Sequence, residues 1–288
     1  MQQLKLFAYA KINLFLDVKN LRDDNYHNLN MLMQSIKLHD EMIIKKSESG
    51  IKIKTNNKKV PVNNSNLAYQ AAEKIFKKAG YKGGINIYID KKIPVAAGLA
   101  GGSTDAAAIL NGLNTLCNFN LDKKVLFKIA TQIGCDVPFC LKGGTAYATG
   151  RGNKLKFLKP LKKYIVILVK PPQMVSTARI YQLYDKIDYQ NNLPVKRLVN
   201  IIKNQAEMNI NDGWANNLEP ITKEIVADIK EIKQILKNYG FGFTMMTGSG
   251  PTVFSLINKE KEELAKEVVR NWEREQDFIT LTETKNSI

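Results

Sequence analysis

The sequence predicts an α+β protein in two halves, with mixed sheets and helices in both. Apolar, β-prone runs and segments with helical spacing of apolar residues occur on both sides of the middle of the chain. A lysine-rich stretch with Pro160, Gly150–Lys163, separates the two sets and puts the boundary between residues 1–158 and 159–288. At 288 residues, 44% hydrophobic and 24% charged, the chain is long enough for one large or two ordinary domains with real cores.

Leu4–Ala8, Ile12–Val18, Leu32–Lys46 and Ile51–Thr55 read as strands separated by polar turns. Asn66 then caps a helix over Leu67–Lys78 that stops at Gly80. Ile85–Asp90 alternates as a strand. A glycine-rich loop follows and opens a helix through Ile109, Leu110, Leu113 and Leu116. Lys123–Ile133 is a helix ending at Gly134, and Thr145–Thr149 is a strand. The second half opens on a buried strand, Tyr164–Val169, stopped by Pro171 and Pro172. Ser176 or Thr177 starts a helix through Tyr184, and another spans about Leu198–Gln205. Ile221, Ile225, Ile229, Ile232 and Leu236 mark one long amphipathic helix. Phe241–Met246 and Thr252–Ile257 are strands around a glycine turn, followed by a helix, Lys259–Trp272, and a last strand, Phe278–Thr282.

The balance of 43 basic to 27 acidic residues gives +16, which permits an anionic ligand. The lysines fall in scattered pairs such as Lys45-Lys46 and Lys91-Lys92, a pattern of solvated surface, so no nucleic-acid partner is expected. No apolar run reaches membrane-spanning length, and the first residues lack a basic head before an apolar core. Three cysteines, Cys117, Cys135 and Cys140, argue against a disulfide framework and for a reducing, cytoplasmic setting. His27 and His39 form no cluster with cysteines or carboxylates, which argues against structural zinc.

The chemistry concentrates in Pro94-Val95-Ala96-Ala97-Gly98-Leu99-Ala100-Gly101-Gly102-Ser103-Thr104. Three glycines and two hydroxyls run directly into a helix, so unpaired N–H groups and the positive end of the helix dipole favour phosphate there. The plain alternative is a glycine turn with Ser103 or Thr104 as an ordinary N-cap. No P-loop is present, and Gly150-Arg151-Gly152 lacks the third glycine and the following helix of a dinucleotide fingerprint.

Four further segments carry polar groups in apolar settings. Lys11 and Asn13 share one face of a strand by period two. Asp136 is the only charge in Ile133–Cys140, where a buried carboxylate needs a cation or donors. Tyr26 and His27 set an aromatic beside an imidazole. Met246–Phe254 holds a second glycine turn, including Gly248 and Ser249.

In this order, from about residue 5 to 257, these segments resemble the GHMP small-molecule kinases, named for galactokinase, homoserine, mevalonate and phosphomevalonate kinases. The resemblance implies the two-domain GHMP fold, with an N-terminal ATP-phosphate and catalytic domain, a C-terminal domain and an active site in the cleft between them. Ala10–Leu16, Asp24–Leu29 and Gly134–Phe139 point to the branch whose acceptor is 4-diphosphocytidyl-2-C-methyl-D-erythritol, in the non-mevalonate route to isoprenoid precursors. The branch usually writes Arg-Pro-Asp-Gly-Tyr-His-Glu-Leu where this chain has Arg22-Asp23-Asp24-Asn25-Tyr26-His27-Asn28-Leu29. Ala100 stands where glycine is common and Thr104 where serine is common.

The resemblance implies transfer of the ATP γ-phosphoryl group to the acceptor's 2-hydroxyl, with Mg²⁺ as cofactor. Asp136 is the implied general base, paired with and oriented by Lys11. The loop from Pro94 through Thr104 holds the ATP phosphates, with Ser103 a ligand of the metal. Tyr26 and Tyr181 sandwich the cytosine, His27 bonds its polar edge, Asn13 contacts the substrate near the reacting hydroxyl, and Gly248 and Ser249 complete the substrate site. Asn66 is a candidate for adenine. Another GHMP kinase would share both glycine turns but has no use for Tyr26-His27 beside Lys11 and Asn13. A basic nucleic-acid-binding protein would explain the charge but not Asp136 or the turns. Oligomeric state is not legible, since no interface stripe separates from the core.

Overall fold

The structure is a computed structural model and describes residues 2–187 and 193–287. β1 (Gln3–Leu21) and β2 (His27–Ser47) form a long antiparallel hairpin, followed by β3 (Ile51–Thr55), α1 (Leu67–Ala79), β4 (Gly84–Asp90) and α2 (Gly101–Leu116). Then come α3 (Lys123–Thr131), α4 (Val137–Cys140), β5 (Thr145–Thr149) and β6 (Lys154–Phe157). The second half contains β7 (Ile165–Lys170), α5 (Thr177–Tyr184), α6 (Val195–Lys203), α7 (Glu219–Ile225) and α8 (Asp228–Asn238). It ends with β8 (Phe243–Met246), β9 (Val253–Ile257), α9 (Glu262–Arg270) and β10 (Phe278–Lys285).

Among the described residues the ten strands form one sheet system along the path β3-β4-β2-β10-β7-β9-β8, with β1 on β2 and β5 joining β2 to β6. β2 is the spine. It meets β5 at Met31–Gln34, β10 at Ser35 and Ile36, and β4 at Glu41–Ser47. β1 replaces the two strands expected there, because register shifts at Tyr9/Lys11 and Asn13/Phe15 carry the chain through the interruption instead of ending it.

Two other expectations change, and one segment gains an element that was not anticipated. The single helix over Ile221–Leu236 is two helices, broken at Val226, whose φ of −125° and ψ of 86° are not helical. The apolar stripe runs on across the break and so hides it, although Ile225 is exposed. The lysine-rich stretch 150–163 contains β6, which pairs with β5; its side chains alternate outward, so composition made a strand look like a turn. Asp136-Val137-Pro138-Phe139 opens the short helix α4, with Pro138 in its first turn, where a missing N–H costs nothing.

The core is divided by β1. On one side Ala106, Ile109, Leu110 and Leu113 of α2 and Ala71, Ala72 and Ile75 of α1 pack on Ile44, Ile87 and Ile89. On the other, Ala10, Ile12 and Leu14 of β1 meet Val166 and Leu168 of β7 and Phe254 of β9. The second cluster brings β1, which carries Lys11 and Asn13, against the second half of the chain.

Candidate active site

The glycine loop is seated before it is functional. Leu99 and Ala97 are buried in the core cluster that includes Ile12 and Leu14, and the backbone N–H of Lys11 donates to the Leu99 carbonyl at 3.2 Å. Burying a leucine side chain is worth about 1.5–3 kcal/mol, so Leu99 anchors the loop on β1. α2 begins with Ala100 as its N-cap, at φ 59°, and no side chain caps it. Neither hydroxyl therefore acts as the ordinary N-cap: Thr104 Oγ1 donates to the Tyr9 carbonyl at 2.6 Å, while Ser103 lines the cleft. The first N–H groups of a sixteen-residue helix are thus free of side-chain acceptors and face an open cavity, a setting suited to an anion. At two of the departures from the family pattern, Ala100 and Asn25, the chain takes positive φ, 59° and 60°, a conformation suited to the glycine that is usual there.

Beneath the loop lies a buried charged cluster. Lys91 Nζ is shared by Asp40 Oδ2 and Asp105 Oδ2, each at 2.6 Å, and Asp40 Oδ1 accepts from the N–H groups of Lys92 and Ile93. Asp105 Oδ1 is buried with no hydrogen-bond partner. Burial pushes the Asp105 carboxyl up to about 7, against the opposing pull of Lys91.

The two glycine turns touch. A Cβ at Gly98, whose φ is +73°, would stand 2.3 Å from the Thr247 carbonyl oxygen, and one at Gly248 would stand 2.9 Å from the Gly98 carbonyl oxygen. Only glycine permits this approach. The second turn is held from outside by Asn216, which donates to the carbonyls of Met246 and Gly248 at 2.9 and 2.8 Å. Thr247 Oγ1 accepts from the Asn13 N–H at 2.8 Å, and Ser249 Oγ lies 2.7 Å from Thr177 Oγ1 on α5.

Lys11 and Asn13 share a face as expected, Lys11 Nζ donating to Asn13 Oδ1 at 2.6 Å. The same ammonium donates to the Gly98 carbonyl at 3.0 Å and stands 3.7 Å from Asp136 Oδ2. Lys11 is buried, at 4% exposure, so its charge acts in a poorly hydrated setting. Asp136 sits at the N-terminus of α4 without capping it, which leaves its carboxylate unspent by the helix. A buried ammonium joining a carboxylate to the backbone of a phosphate-type loop can both orient a base and meet a phosphoryl group.

Tyr26 is half-exposed, and the Arg151 guanidinium lies 3.8 Å from its ring centroid. His27 is buried. Its Nε2 is 2.7 Å from Asp185 Oδ1, and its ring stacks on Tyr181 with centroids 5.2 Å apart. The Tyr181 hydroxyl is pushed well up by burial, with Asp136 adding to the shift. Asn66 caps α1, accepting from the Ala68 N–H at 2.8 Å and donating to the Pro61 carbonyl at 2.6 Å.

Lys11, Asn13, Tyr26, His27, Asn66, Pro94, Ala97, Gly98, Ala100, Gly101, Gly102, Ser103, Asp136, Tyr181, Gly248 and Ser249 all line one cavity of about 980 Å³. Leu99 and Thr104 do not: one points into the core and the other is tied to β1. Lys91, Asp105, Arg151, Thr177 and Asp185 also line it and were not assigned to the site from the sequence. Lys91 belonged to a pair that looked like solvated surface, although its place just before the loop was a usable signal. Asp185 gave none, because its partner His27 is 158 residues away.

Two family profiles match the chain: the GHMP kinases N terminal domain over residues 66–144 and the GHMP kinases C terminal over residues 194–276. A homoserine kinase structure from Cytophaga hutchinsonii superposes with a TM-score of 0.75 at 18% identity, covering 100% of this chain and 96% of that one, a likeness of fold. The architecture is that of the GHMP small-molecule kinases. A 4-diphosphocytidyl-2-C-methyl-D-erythritol kinase of Acetivibrio thermocellus is 43% identical over 286 residues, 98% of this chain and 100% of that protein. A crystal structure of 4-(cytidine 5'-diphospho)-2C-methyl-D-erythritol kinase matches with a TM-score of 0.81 at 32% identity, over 98% of this chain and 100% of that one. The chain belongs to the 4-diphosphocytidyl-2-C-methyl-D-erythritol kinase family.

Proposed function

We propose that this enzyme transfers the γ-phosphoryl group of ATP to the 2-hydroxyl of 4-diphosphocytidyl-2-C-methyl-D-erythritol, a step toward isoprenoid precursors. The observation that carries the site assignment is the position of Lys11 Nζ, 3.0 Å from the Gly98 carbonyl of the glycine loop and 3.7 Å from Asp136 Oδ2. In this reading residues 1–158 form the ATP-phosphate and catalytic domain, residues 159–288 the second domain, and the cavity between them takes both substrates.

The acceptor hydroxyl gives its proton to the Asp136 carboxylate as its oxygen bonds to the γ-phosphorus. The bond from that phosphorus to the β-phosphate oxygen breaks, and ADP leaves. Lys11 orients Asp136 and meets charge on the transferring group, while Asn13, fixed by Lys11, positions the hydroxyl. The N–H groups at the start of α2 and the backbone from Pro94 to Thr104 receive the ATP phosphates. Leu99 and Thr104 serve through their backbone only. Gly248 and Ser249 close the site from the second turn.

Among the described residues no three His, Cys, Asp or Glu side chains stand together as a metal site. Ser103, which lines the cavity at the start of α2, would be this chain's ligand to a Mg²⁺ ion otherwise held by phosphate oxygens and water. The ion would neutralise charge on the β- and γ-phosphates. His27, whose Nε2 is paired with Asp185, reads the polar edge of cytosine, and Tyr26 and Tyr181 flank the base. Asn66 faces the cavity beside the loop and is the residue we assign to adenine. We assign the enzyme to the cytoplasm, acting on a small anionic molecule; among the described residues no helix is long and apolar enough to cross a membrane.

The test is ADP release with Mg-ATP and the cytidine diphosphate acceptor, with mevalonate, phosphomevalonate and homoserine in parallel. Turnover is expected with the cytidine acceptor alone, and Asp136→Asn should lower kcat by about 10²–10⁴. Turnover with another acceptor would overturn the substrate assignment, and near wild-type turnover in the folded Asp136→Asn variant would overturn the base.

A further inference from the structure

The short motif Gly150-Arg151-Gly152, which is no dinucleotide fingerprint, has no part in the chemistry described above. The turn between β5 and β6 nevertheless delivers Arg151 to the cleft wall. Its guanidinium carbon stands 3.8 Å from the Tyr26 ring centroid, and Nη2 is 3.6 Å from Cys135 Sγ. Asp24 is 3.9 Å from Nη1, but Arg22 already grips both oxygens of that carboxylate, at 3.0 and 3.1 Å. Arg151 Nε is buried without a hydrogen-bond partner. A guanidinium has five donors in a planar fork, and here Nε has no partner and Nη1 meets only the distant, already engaged Asp24, so donors are left over.

Its position says what would use them. On one side stand Tyr26 and His27, which receive the base; on the other, Cys135 leads directly into Asp136, which receives the reacting hydroxyl. In the acceptor, a diphosphate joins the cytidine to the polyol. A molecule with its base at Tyr26 and its hydroxyl at Asp136 must lay that diphosphate along the wall Arg151 forms. A planar fork suits two phosphate oxygens at once, and the contact with the Tyr26 ring holds the guanidinium in place.

We infer that Arg151 binds the diphosphate of the acceptor and so sets the span between the recognised base and the phosphorylated hydroxyl. The inference rests on the acceptor proposed above. Arg151 is then a specificity residue: it rewards a nucleoside diphosphate over the bare nucleoside and has no part in holding ATP.

The experiment compares CDP and cytidine as competitive inhibitors of the wild-type enzyme, Arg151→Gln and Arg151→Lys, with KM measured for acceptor and for ATP. Wild type is expected to prefer CDP to cytidine by about 10–100-fold, the worth of a charged bidentate contact. Arg151→Gln should lose most of that preference and raise the acceptor KM by a similar factor. Its cytidine inhibition and ATP KM should stay within about twofold, and Arg151→Lys should recover part of the loss. Equal weakening of CDP and cytidine would overturn the inference, because Arg151 would then act only by packing on Tyr26. A raised ATP KM would overturn it too, by moving Arg151 to the nucleotide donor. Should Arg151→Gln not fold, Arg151→Lys decides: an unchanged CDP-to-cytidine ratio overturns the inference. A wild-type enzyme inert toward the cytidine acceptor would instead sink the proposed function. One that turns it over while its variants keep the ratio sinks the Arg151 assignment alone.

Discussion

Ser103 and Thr104 are neighbours with the same functional group and opposite fates. Thr104 Oγ1 is tied to the Tyr9 carbonyl and shut away from solvent, whereas Ser103 faces the cavity. Thr104→Val keeps the shape but strands a buried carbonyl, so it should cost about 1–2 kcal/mol in urea denaturation and leave the ATP KM unchanged. Ser103→Ala should do the reverse, raising the ATP KM several-fold, about 1 kcal/mol of binding, with no change in stability. If Thr104→Val shifted the ATP KM and Ser103→Ala did not, the two assignments would be exchanged. Sequence alone presents both hydroxyls as one phosphate motif, because a period-3.6 helix decides which faces the ligand and the exact start of that helix was not visible. Lys11 and Asn13 were legible for the opposite reason. The period of a strand is two, so their common face survives any small error in where the strand begins.

At the scale of elements, the glycine turns were legible as turns but not as partners. The sequence separates Gly98 from Gly248 by 150 positions, and the local pattern contains nothing that brings them together. Their contact depends on three long-range supports: Leu99 in the core, the Asn13 N–H on Thr247, and Asn216 on the far side. Gly98→Ala should therefore be severe. The added Cβ would fall 2.3 Å from the Thr247 carbonyl oxygen in a backbone conformation that L side chains rarely adopt. A loss on the order of 2–4 kcal/mol is expected. Gly102→Ala is the matched control in the same loop. Its Cβ would meet only Leu67 Cδ1 at 3.6 Å, an ordinary contact, and alanine is the better helix former by about 1 kcal/mol. Urea midpoints for the two variants check the pair; equal destabilisation would mean that the approach of the two turns is not what confines Gly98. The same distinction explains the helix that was expected whole and is found as α7 and α8. The apolar stripe reports which side faces the core, and the core extends past Val226 even though the helix does not.

Over the whole molecule the two sets of strands were legible, and the way they join was not. The closing strand was expected to end at Thr282, within the second half. It continues to Lys285, pairing with β7 from Phe278 to Glu283 and then with Ile36 and Ser35 of β2. Side chains reinforce the crossing, since Gln34 Nε2 donates to the Lys285 carbonyl at 2.8 Å and the Tyr164 N–H donates to Thr284 Oγ1 at 3.0 Å. Such pairing is non-local by more than 200 residues and leaves no periodic trace. It bears on how the protein unfolds. Chains of this length with two halves commonly melt in steps. Here β10 belongs to the sheet of both halves, and Ile12 and Leu14 of β1 share a core with Val166, Leu168 and Phe254. Exposing either half strips apolar surface from the other, so neither gains by opening alone. The expected calorimetric trace is one transition whose van't Hoff and calorimetric enthalpies agree, with near- and far-ultraviolet circular dichroism changing together in urea. Two resolved transitions would mean that β10 and the shared cluster couple the halves too weakly to hold the cleft as a single rigid site. The two glycine turns, one from each half, would then be brought into place by the substrates and not by the fold.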